Sequence, residues 1–472
     1  MRVAAATPSR PALAAALAVA GAGGGAVDAA IAAAAVAMVT EVGVCAPGAG
    51  GFLTVSHGGE SATYDGYMSV PGLGNRSGPR PQVTEVTMAY GGGITTVVGP
   101  GSIATPGVWA AMEEAHRRHG RIEWRALLAP ASALARNGFG FGPASLTYLR
   151  HSHHLVYGHD PASASAIHHP DGTLRGVGEL ISMPDLADSL EELSREGSAA
   201  IHRGDLGRRI ADDLRERGAI LAWDDLLDYR AEPRTPLVHR VGSWVIATNP
   251  APAIGGEAVV AVLERLEELG TSAQAHVAAQ GEVFSRRLRG DPLRSPSTIQ
   301  ISVVDEAGTA CALTASSGYG SGVIPSGTGM WMNNALGELE LMGDAAALVP
   351  GERLVSNMAP TVGTADDGSV LAIGSPGAAR ITSALAQVIG SIALDRLPFG
   401  SAVARPRLHV EVGDQWSVSC EPGVELADGP LPVERFDTPH MYFGGVGAAL
   451  RMPDGSLEAF ADPRRDGAAG VS

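Results

Sequence analysis

Apolar residues in the first half of the chain recur mainly at helical spacing. Residues 3–70 predict a short strand, a helix from about Pro11, a glycine turn and a second helix of small residues, then a glycine loop and the strands FLTVSH and SATYDGY. Residues 105–235 contain further apolar stripes that end at glycine, in the segments VWAAMEEAHRRHG, WRALLAPASALARNG and DLGRRIADDLRERGA. This part of the chain is therefore predicted to be mostly helical.

The pattern changes after a polar stretch, residues 271–297, which is rich in Ser, Arg, Gln and Gly. We predict an exposed, cleavable connection there. From Thr298 onward the chain consists of short β-rich runs between glycine turns, with the helix ARITSALAQVIGSIALD among them; the runs are STIQISVVD, GTACALTAS, SVLAIGS and WSVSCE. No repeat of fixed period is visible, which argues against solenoids and propellers and leaves a layered α/β architecture.

Composition supports a chain that folds throughout. It has 472 residues, of which 45% are hydrophobic, and its 62 glycines and 31 prolines are scattered through apolar runs. The opening Ala/Leu-rich stretch resembles a signal peptide, but the prolines and charge of residues 8–11 interrupt it, so we predict that it belongs to the mature fold. Asp28 and Glu41 break the following Ala/Val run, which favours a buried helix over a membrane span.

Charge and cysteine content narrow the partners and the compartment. A formal net charge of −16 leaves no basic face for nucleic acid. The three cysteines, Cys45, Cys311 and Cys420, are widely spaced and odd in number, so neither a disulfide framework nor a CxxC metal site is indicated. We therefore expect a reducing, cytoplasmic location and no nucleic-acid or membrane partner.

Two other motifs invite a ligand hypothesis. Gly21-x-Gly23-x-x-Ala26 resembles a dinucleotide fingerprint, but a helix is predicted before it where that fingerprint needs a strand. Six histidines fall within residues 151–169 without a companion cysteine or an HExxH helix, and the neighbouring glycine and proline favour an exposed loop over a metal site. We predict no cofactor and no metal.

Thr298 begins the β-rich part of the chain. A hydroxyl nucleophile needs a base beside it, because its own pKa lies far above neutral. If the chain is cut between Ser297 and Thr298, the freed α-amine, with a pKa near ~8, can accept the hydroxyl proton from within the same residue. The alternative is that Thr298 is an ordinary β-branched strand residue.

The order of short sequence blocks resembles that of the γ-glutamyltranspeptidase family over nearly the whole chain. The resemblance implies a four-layer αββα sandwich of the N-terminal nucleophile hydrolase type, and self-cleavage into a large subunit, 1–297, and a small subunit, 298–472. A dimer of the processed unit is left open. The blocks are GGGAVDAAIAAA, APGAGGF, GSIATPG, NPAPAIGG, STIQISVVDEAGTACALT, SGVIPSGTGMWMNN, MAPTV and GSPGAARI.

Matching these blocks by position implies roles for particular residues. Thr298 corresponds to the nucleophile, and Ser316 to a threonine whose hydroxyl supports it. Gly377 and Ala378 correspond to paired glycines whose N–H groups stabilise the oxyanion. The resemblance also implies that Glu338 holds the substrate α-ammonium group and that two residues lie near its α-carboxylate, namely Ser356 and Asn357.

The sequence departs from the family pattern where substrate is recognised. DGYMSVP stands in place of the family's DFRExxP, so Tyr67 occupies the position of an arginine that clamps a carboxylate. A tyrosine donates one hydrogen bond and cannot form a bidentate charged pair. Gln300 and Ala335 also replace family histidine and glutamine residues. We therefore expect retained processing chemistry with altered substrate recognition.

Several functions fit these residues. The first is an autoprocessing acyl hydrolase or transferase that acts on a small amide or amino-acid-like substrate. The second keeps the nucleophile but cleaves a C–C bond beside a carbonyl, as in γ-glutamyltranspeptidase-like enzymes of 4-alkylproline antibiotic pathways. The third is a self-cleaving or inactive scaffold that binds a ligand without turnover. A nicotinamide- or flavin-binding protein is the least favoured alternative.

Overall fold

The computed structural model describes residues 1–74, 81–89, 93–287, 298–338, 348–413 and 415–472. The strands in these ranges are β1 Val3–Thr7, β2 Gly50–His57, β3 Glu60–Gly66, β4 Thr84–Met88, β5 Ile94–Val98, β6 Phe139–Gly140, β7 Leu180–Ile181, β8 Glu232–Arg234, β9 Leu237–Val241, β10 Trp244–Thr248, β11 Ile299–Asp305, β12 Ala310–Ser316, β13 Thr361–Ala365, β14 Val370–Gly374, β15 Leu408–Val412, β16 Trp416–Cys420, β17 Val433–Arg435, β18 Gly447–Arg451, β19 Leu457–Phe460 and β20 Ala468–Val471.

The α-helices in the same ranges are α1 Arg10–Gly21, α2 Ala26–Thr40, α3 Val108–His119, α4 Trp124–Asn137, α5 Pro143–Leu149, α6 His153–Tyr157, α7 Pro161–Ile167, α8 Pro184–Glu196, α9 Ala199–His202, α10 Asp205–Glu216, α11 Trp223–Asp228, α12 Gly255–Leu269, α13 Ala273–Arg287, α14 Arg380–Ala393 and α15 Phe399–Ala404. The helices and strands named from the sequence are all present. Their ends fall within a few residues of the predicted positions.

Two antiparallel sheets form the centre of the molecule. The first has the strand order β20-β1-β11-β12-β2-β3-β8, and the second has the order β19-β18-β14-β13-β10-β9. Helices α1 to α3 pack beside the first sheet, and α4 packs on α2 and α8. Helices α12 and α14 pack beside the second sheet, and strands β11 and β12 face β14 and β18 across the middle. The layers are therefore α, β, β and α, as predicted.

Strand β11 is buried on both faces. Ile299, Ile301 and Val303 point into the core shared with α2, whereas Val304 points into a second core between the sheets. Successive side chains of a strand lie on opposite faces, so a strand covered on both sides buries every residue. Alanines and valines dominate the core between the sheets, and their small side chains allow the two sheets to approach closely.

The opening segment belongs to this fold. Strand β1 pairs with both β11 and β20. Helix α2 is buried along its whole length, which confirms the prediction of a buried helix. Helix α1 runs to Gly21, so a helix precedes the glycine cluster and the dinucleotide fingerprint is excluded there. Within the described residues, none of the helices has both the length and the apolar character that crossing a bilayer requires.

Two loop predictions were wrong. Much of the stretch predicted as an exposed connection, residues 271–297, forms helix α13, whose buried side chains include Gln280 and Phe284; residues 288–297 lie outside the described ranges. The histidine-rich segment forms α6 and α7 instead of an exposed loop, and His168 is only 7% exposed. In both places tertiary packing determined the structure of a polar sequence whose local signals favoured a loop.

Candidate active site

Thr298 lies directly before β11 and is buried, with 5% of its surface exposed. Ile299 pairs with Ala315 in the antiparallel ladder of β11 and β12, so one further step of the same register places Thr298 opposite Ser316. Thr298 shares a strand face with Gln300, because side chains two apart point the same way. That face is turned toward the second sheet. The structure thus brings the predicted nucleophile and its predicted supporting hydroxyl together.

Gln300 links β11 to β12 and, through Ser302, to the second sheet. The Thr314 hydroxyl donates to Gln300 Oε1 over 2.5 Å, and Gln300 Nε2 donates to Ser302 Oγ over 3.0 Å. The hydroxyl of Ser302 in turn donates to the carbonyl of Gly447 in the second sheet over 2.9 Å. Gln300 is therefore a structural link between strands and sheets, and each of these bonds holds the start of β11 in place.

A cavity of about 300 Å³ borders Thr298 and Gln300. It lies between the end of β1, the end of α2, helix α5 and the C-terminal segment, and its lining includes Thr7, Glu41, Tyr148, Pro376, His440 and Arg465. A buried hydroxyl at the edge of a cavity is accessible to a small molecule, which a threonine in the middle of a packed strand would not be.

The turn between β14 and α14 reaches the same cavity through Pro376. Gly377 and Ala378 follow, with φ values of 132° and 56°, and helix α14 begins at Arg380. Among the described residues, neither of the two N–H groups donates to a protein acceptor. Backbone N–H groups at the start of a helix are suited to binding an anion. Two backbone N–H groups therefore remain available one and two residues beyond Pro376, which lines the cavity.

The predicted substrate-binding residues lie together but do not line this cavity in the described ranges. Tyr67, Glu338 and Ser356, named here the Glu338 group, are at most 3% exposed. Burial first, and then the negative charge of Glu338, raise the pKa of the Tyr67 hydroxyl well above its ordinary value, while its hydrogen bond to Ser356 opposes this shift. The Tyr67 ring stacks on Phe52 with ring centroids 5.3 Å apart.

Gly318 connects the Glu338 group to Ser316. Its N–H donates to Ser316 Oγ over 3.1 Å. A β-carbon at Gly318 would lie 2.4 Å from Asn334 Oδ1 and 3.2 Å from Glu338 Cδ, and its φ of 64° suits glycine, so no other residue fits. Ser316 and the Glu338 group therefore both lie next to Gly318.

Asn357 is held from a different direction. It is 4% exposed, and its carbonyl oxygen would lie 2.1 Å from a β-carbon at Gly255. The neighbouring Ser356 carbonyl accepts the Ile254 N–H over 2.8 Å. The turn before α12 therefore positions Ser356 and Asn357. This turn belongs to the block NPAPAIGG, and Ser356 and Asn357 directly precede the block MAPTV, so two blocks distant in sequence meet here.

Sequence reasoning missed Glu41, which lines the cavity beside Thr298. It follows the last residue of α2, and its side chain is 3% exposed. Burial raises the pKa of its carboxyl group from 4.5 to about 7, with a smaller contribution in the same direction from Asp466; the Thr40 hydroxyl opposes them. Only its position at the end of the Ala/Val-rich α2, whose single charged residue is Asp28, could have indicated a buried carboxyl group.

The C-terminal wall of the cavity also went unpredicted. Arg464 lines it and forms ion pairs with Glu421 and Asp462, and Asp462 forms a second pair with Arg407. All four side chains are at most 8% exposed. Such a buried network fixes the direction of the backbone near residues 462–467, because moving one charge would leave its partners uncompensated.

The fold places the molecule in a recognisable class. Its layers and its central pair of antiparallel sheets are those of the N-terminal nucleophile hydrolases. The family model described as Gamma-glutamyltranspeptidase matches residues 12–291 and 271–472. The chain therefore belongs to the γ-glutamyltranspeptidase family, which confirms the resemblance seen in the short sequence blocks.

Several known proteins are similar to this chain. It is 26% identical to a glutathione hydrolase proenzyme of Pseudomonas aeruginosa, over 89% of this chain and 86% of the relative. It is also 26% identical to an Acylase ACY 1 proenzyme of Pseudomonas sp. strain V22, over 79% and 75% of the two chains. The crystal structure of a cephalosporin acylase from Bacillus halodurans superposes with a TM-score of 0.82 at 22% identity, covering 99% of this chain and 95% of that one.

Proposed function

We propose that this protein is an autoprocessing acyl hydrolase or transferase in which Thr298 is the nucleophile. The observation that carries the proposal is the position of Thr298: it comes directly before β11, opposite Ser316, at the edge of the cavity that Pro376 also borders. Similarity to relatives named as proenzymes, hydrolases and acylases supports it. The subunits would be residues 1–297 and 298–472.

Self-cleavage would use the chemistry that later serves the substrate. In the uncut chain the Thr298 nitrogen belongs to the peptide bond from Ser297, which lies outside the described residues. Attack of Thr298 Oγ1 on the Ser297 carbonyl carbon forms an ester and breaks the C–N bond, and the hydroxyl proton passes to the departing nitrogen. Water then hydrolyses the ester, leaving a carboxyl group on Ser297 and a free amine on Thr298.

Turnover would follow the same course on an external acyl group. The free amine accepts the proton of the Thr298 hydroxyl, whose oxygen attacks the substrate carbonyl carbon. The N–H groups of Gly377 and Ala378 stabilise the negative oxygen, each by about 3 kcal/mol. The carbonyl then re-forms as the C–N bond of the substrate breaks. The amine of the substrate leaves with the proton that the Thr298 α-amine had accepted, and an ester on Thr298 remains. Water or a second amine then releases the acyl group.

Substrate recognition in this proposal does not use a charged clamp on the carboxylate of a γ-glutamyl group. Tyr67 stands where the family has arginine, and it is a neutral hydroxyl held by Ser356 rather than a charged donor pair. The Glu338 group is at most 3% exposed in the uncut chain. No observation favours C–C cleavage over acyl transfer.

Intact-mass analysis tests the nucleophile. We expect wild type to give two chains that separate before Thr298, and Thr298→Ala to give one chain. Thr298→Ser keeps the hydroxyl and should still cleave. Thr95→Ala is a matched control, since Thr95 lies exposed on β5 away from the cavity. Two chains from Thr298→Ala would refute self-cleavage by this residue, and cleavage without any acyl turnover would favour the scaffold alternative.

Two matched substrates test the altered recognition. γ-Glutamyl-p-nitroanilide and 4-aminobutyryl-p-nitroanilide differ only in the α-carboxylate. A bidentate arginine would favour the first by roughly tenfold to a hundredfold, which corresponds to ~1.5–3 kcal/mol for charged hydrogen bonds. Wild type should prefer γ-glutamyl-p-nitroanilide by less than about tenfold, because Ser356 and Asn357 offer the carboxylate only uncharged groups, and Tyr67→Arg should raise this preference. A strong wild-type preference for γ-glutamyl-p-nitroanilide would contradict the proposal.

A further inference from the structure

Three histidines from the segment 151–169 lie side by side, with His154 exposed, His153 half-buried and His168 buried. His153 and His154 are the first two residues of α6, and His168 directly follows α7. One ring nitrogen from each histidine lies within 4.8 Å of the other two. His169 is not part of this cluster, because its Nε2 lies 2.9 Å from Glu179.

The hydrogen bonds show which nitrogens carry lone pairs. His168 Nδ1 lies 2.9 Å from the Ala164 carbonyl oxygen, and only a protonated nitrogen can bond to a carbonyl. In the neutral ring His168 Nε2 is therefore the acceptor, and it accepts a hydrogen bond from the His153 Nδ1–H over 2.8 Å. The Ala164 carbonyl thus orients His168 in the way that outer partners orient metal-binding histidines.

A metal ion could replace the shared proton. Zn²⁺ binds imidazole nitrogens at roughly 2.0–2.1 Å in a tetrahedral arrangement, which sets neighbouring nitrogens about 3.3 Å apart. His153 Nδ1 and His168 Nε2 are already closer than that. The ring of exposed His154 already lies beside the other two, with its centroid 3.9 Å from that of His153 and 5.4 Å from that of His168. Metal binding leaves the charge of the histidines unchanged, because the His153 proton moves from Nδ1 to Nε2 and each ring stays neutral.

The backbone that carries the histidines is well anchored. Asp160 caps α7 by accepting the Ser163 N–H over 2.8 Å, and it also pairs with Arg217. The indole N–H of Trp331 donates to Ser163 Oγ. The Tyr157 hydroxyl donates to the Tyr319 carbonyl over 3.2 Å. The helix pair therefore rests on the segment 319–331.

We propose that His153, His154 and His168 bind one divalent transition-metal ion of the zinc type. A water molecule would complete the four ligands. Since Tyr319 follows Gly318, which contacts Glu338, the ion would stabilise the helix pair against the segment that leads into the candidate active site. The proposal concerns residues outside the acyl-transfer machinery and stands independently of it.

Metal titration of untagged, chelator-treated full-length protein tests this site. ZnCl₂ is titrated in competition with a chromophoric chelator, and Co²⁺ provides a visible spectrum that reports coordination geometry. We expect one Zn²⁺ per chain and tetrahedral Co²⁺ bands for wild type. His159→Ala, an exposed histidine of the same segment outside the cluster, should behave like wild type. His154→Ala and His168→Ala should each bind at least about tenfold more weakly.

His154→Ala is the deciding variant, because an exposed side chain can be removed without disturbing the fold; circular dichroism checks this. Hydrogen–deuterium exchange provides a second measurement, in which Zn²⁺ should lower exchange in residues 153–168 and 319–331 of wild type but not of His154→Ala. Absence of stoichiometric binding to wild type, or equal affinity of wild type and His154→Ala, would overturn the proposal.

Discussion

The free energy of unfolding of the wild type should fall as the pH rises, because Glu41 is buried. Replacing Glu41 by glutamine should abolish this fall. The pKa of this buried carboxyl group is about 7 in the folded chain, against an ordinary value of 4.5. Between these values the unfolded chain gives up its proton while the folded chain keeps it. Stability from this group is therefore complete below 4.5 and declines until the pH exceeds about 7.

The size of the effect follows from the same two values. Each pH unit in that interval contributes about 1.4 kcal/mol, so the whole interval corresponds to about 3 kcal/mol of unfolding free energy. Glutamine has nearly the same shape and no charge to desolvate. The stability difference between Glu41→Gln and its parent should therefore shift by about 3 kcal/mol in favour of the variant between about pH 5 and about pH 8.

The assay is chemical unfolding followed by tryptophan fluorescence. Both chains should carry Thr298→Ala, so that each remains a single polypeptide. Glu60→Gln is the matched control, because Glu60 is exposed at the start of β3 and should leave the pH profile unchanged. Parallel pH profiles for Glu41→Gln and its parent would refute the assignment of a buried, protonated carboxyl group at the edge of this cavity.

Two further substitutions test the turn and the wall of the cavity. Ala378→Gly should stabilise the Thr298→Ala chain by about 1 kcal/mol, because Ala378 has a φ of 56° that costs a residue with a β-carbon; Ala384→Gly, inside α14, should instead destabilise it by about 1 kcal/mol. Equal effects of the two changes in unfolding experiments would contradict strain at Ala378. Asp462→Asn should lower the free energy of unfolding by about 3–5 kcal/mol, because it leaves buried Arg407 without its counter-charge. Asp454→Asn is the control: Asp454 is exposed, so its replacement should change the free energy of unfolding by under about 0.5 kcal/mol.

The sequence by itself determined most of the secondary structure and the family. Helical spacing identified α3, α4 and α10, and short β-rich runs between glycine turns identified β11 and β12. Short blocks in the right order indicated the family and its layers. These features are local, because the spacing of apolar residues reflects which faces are covered and glycines mark where the backbone must turn.

Only the tertiary structure decided which polar residues meet. The cavity beside Thr298 joins Glu41 from the end of α2 to Arg464 near the C-terminus. Residues 273–287 form a helix, and His153, His154 and His168 come together, although both segments looked like loops. Burial and long-range pairing set these outcomes, and neither can be deduced from spacing along the chain. A carboxyl group acquires a pKa near 7 only when folding removes it from water.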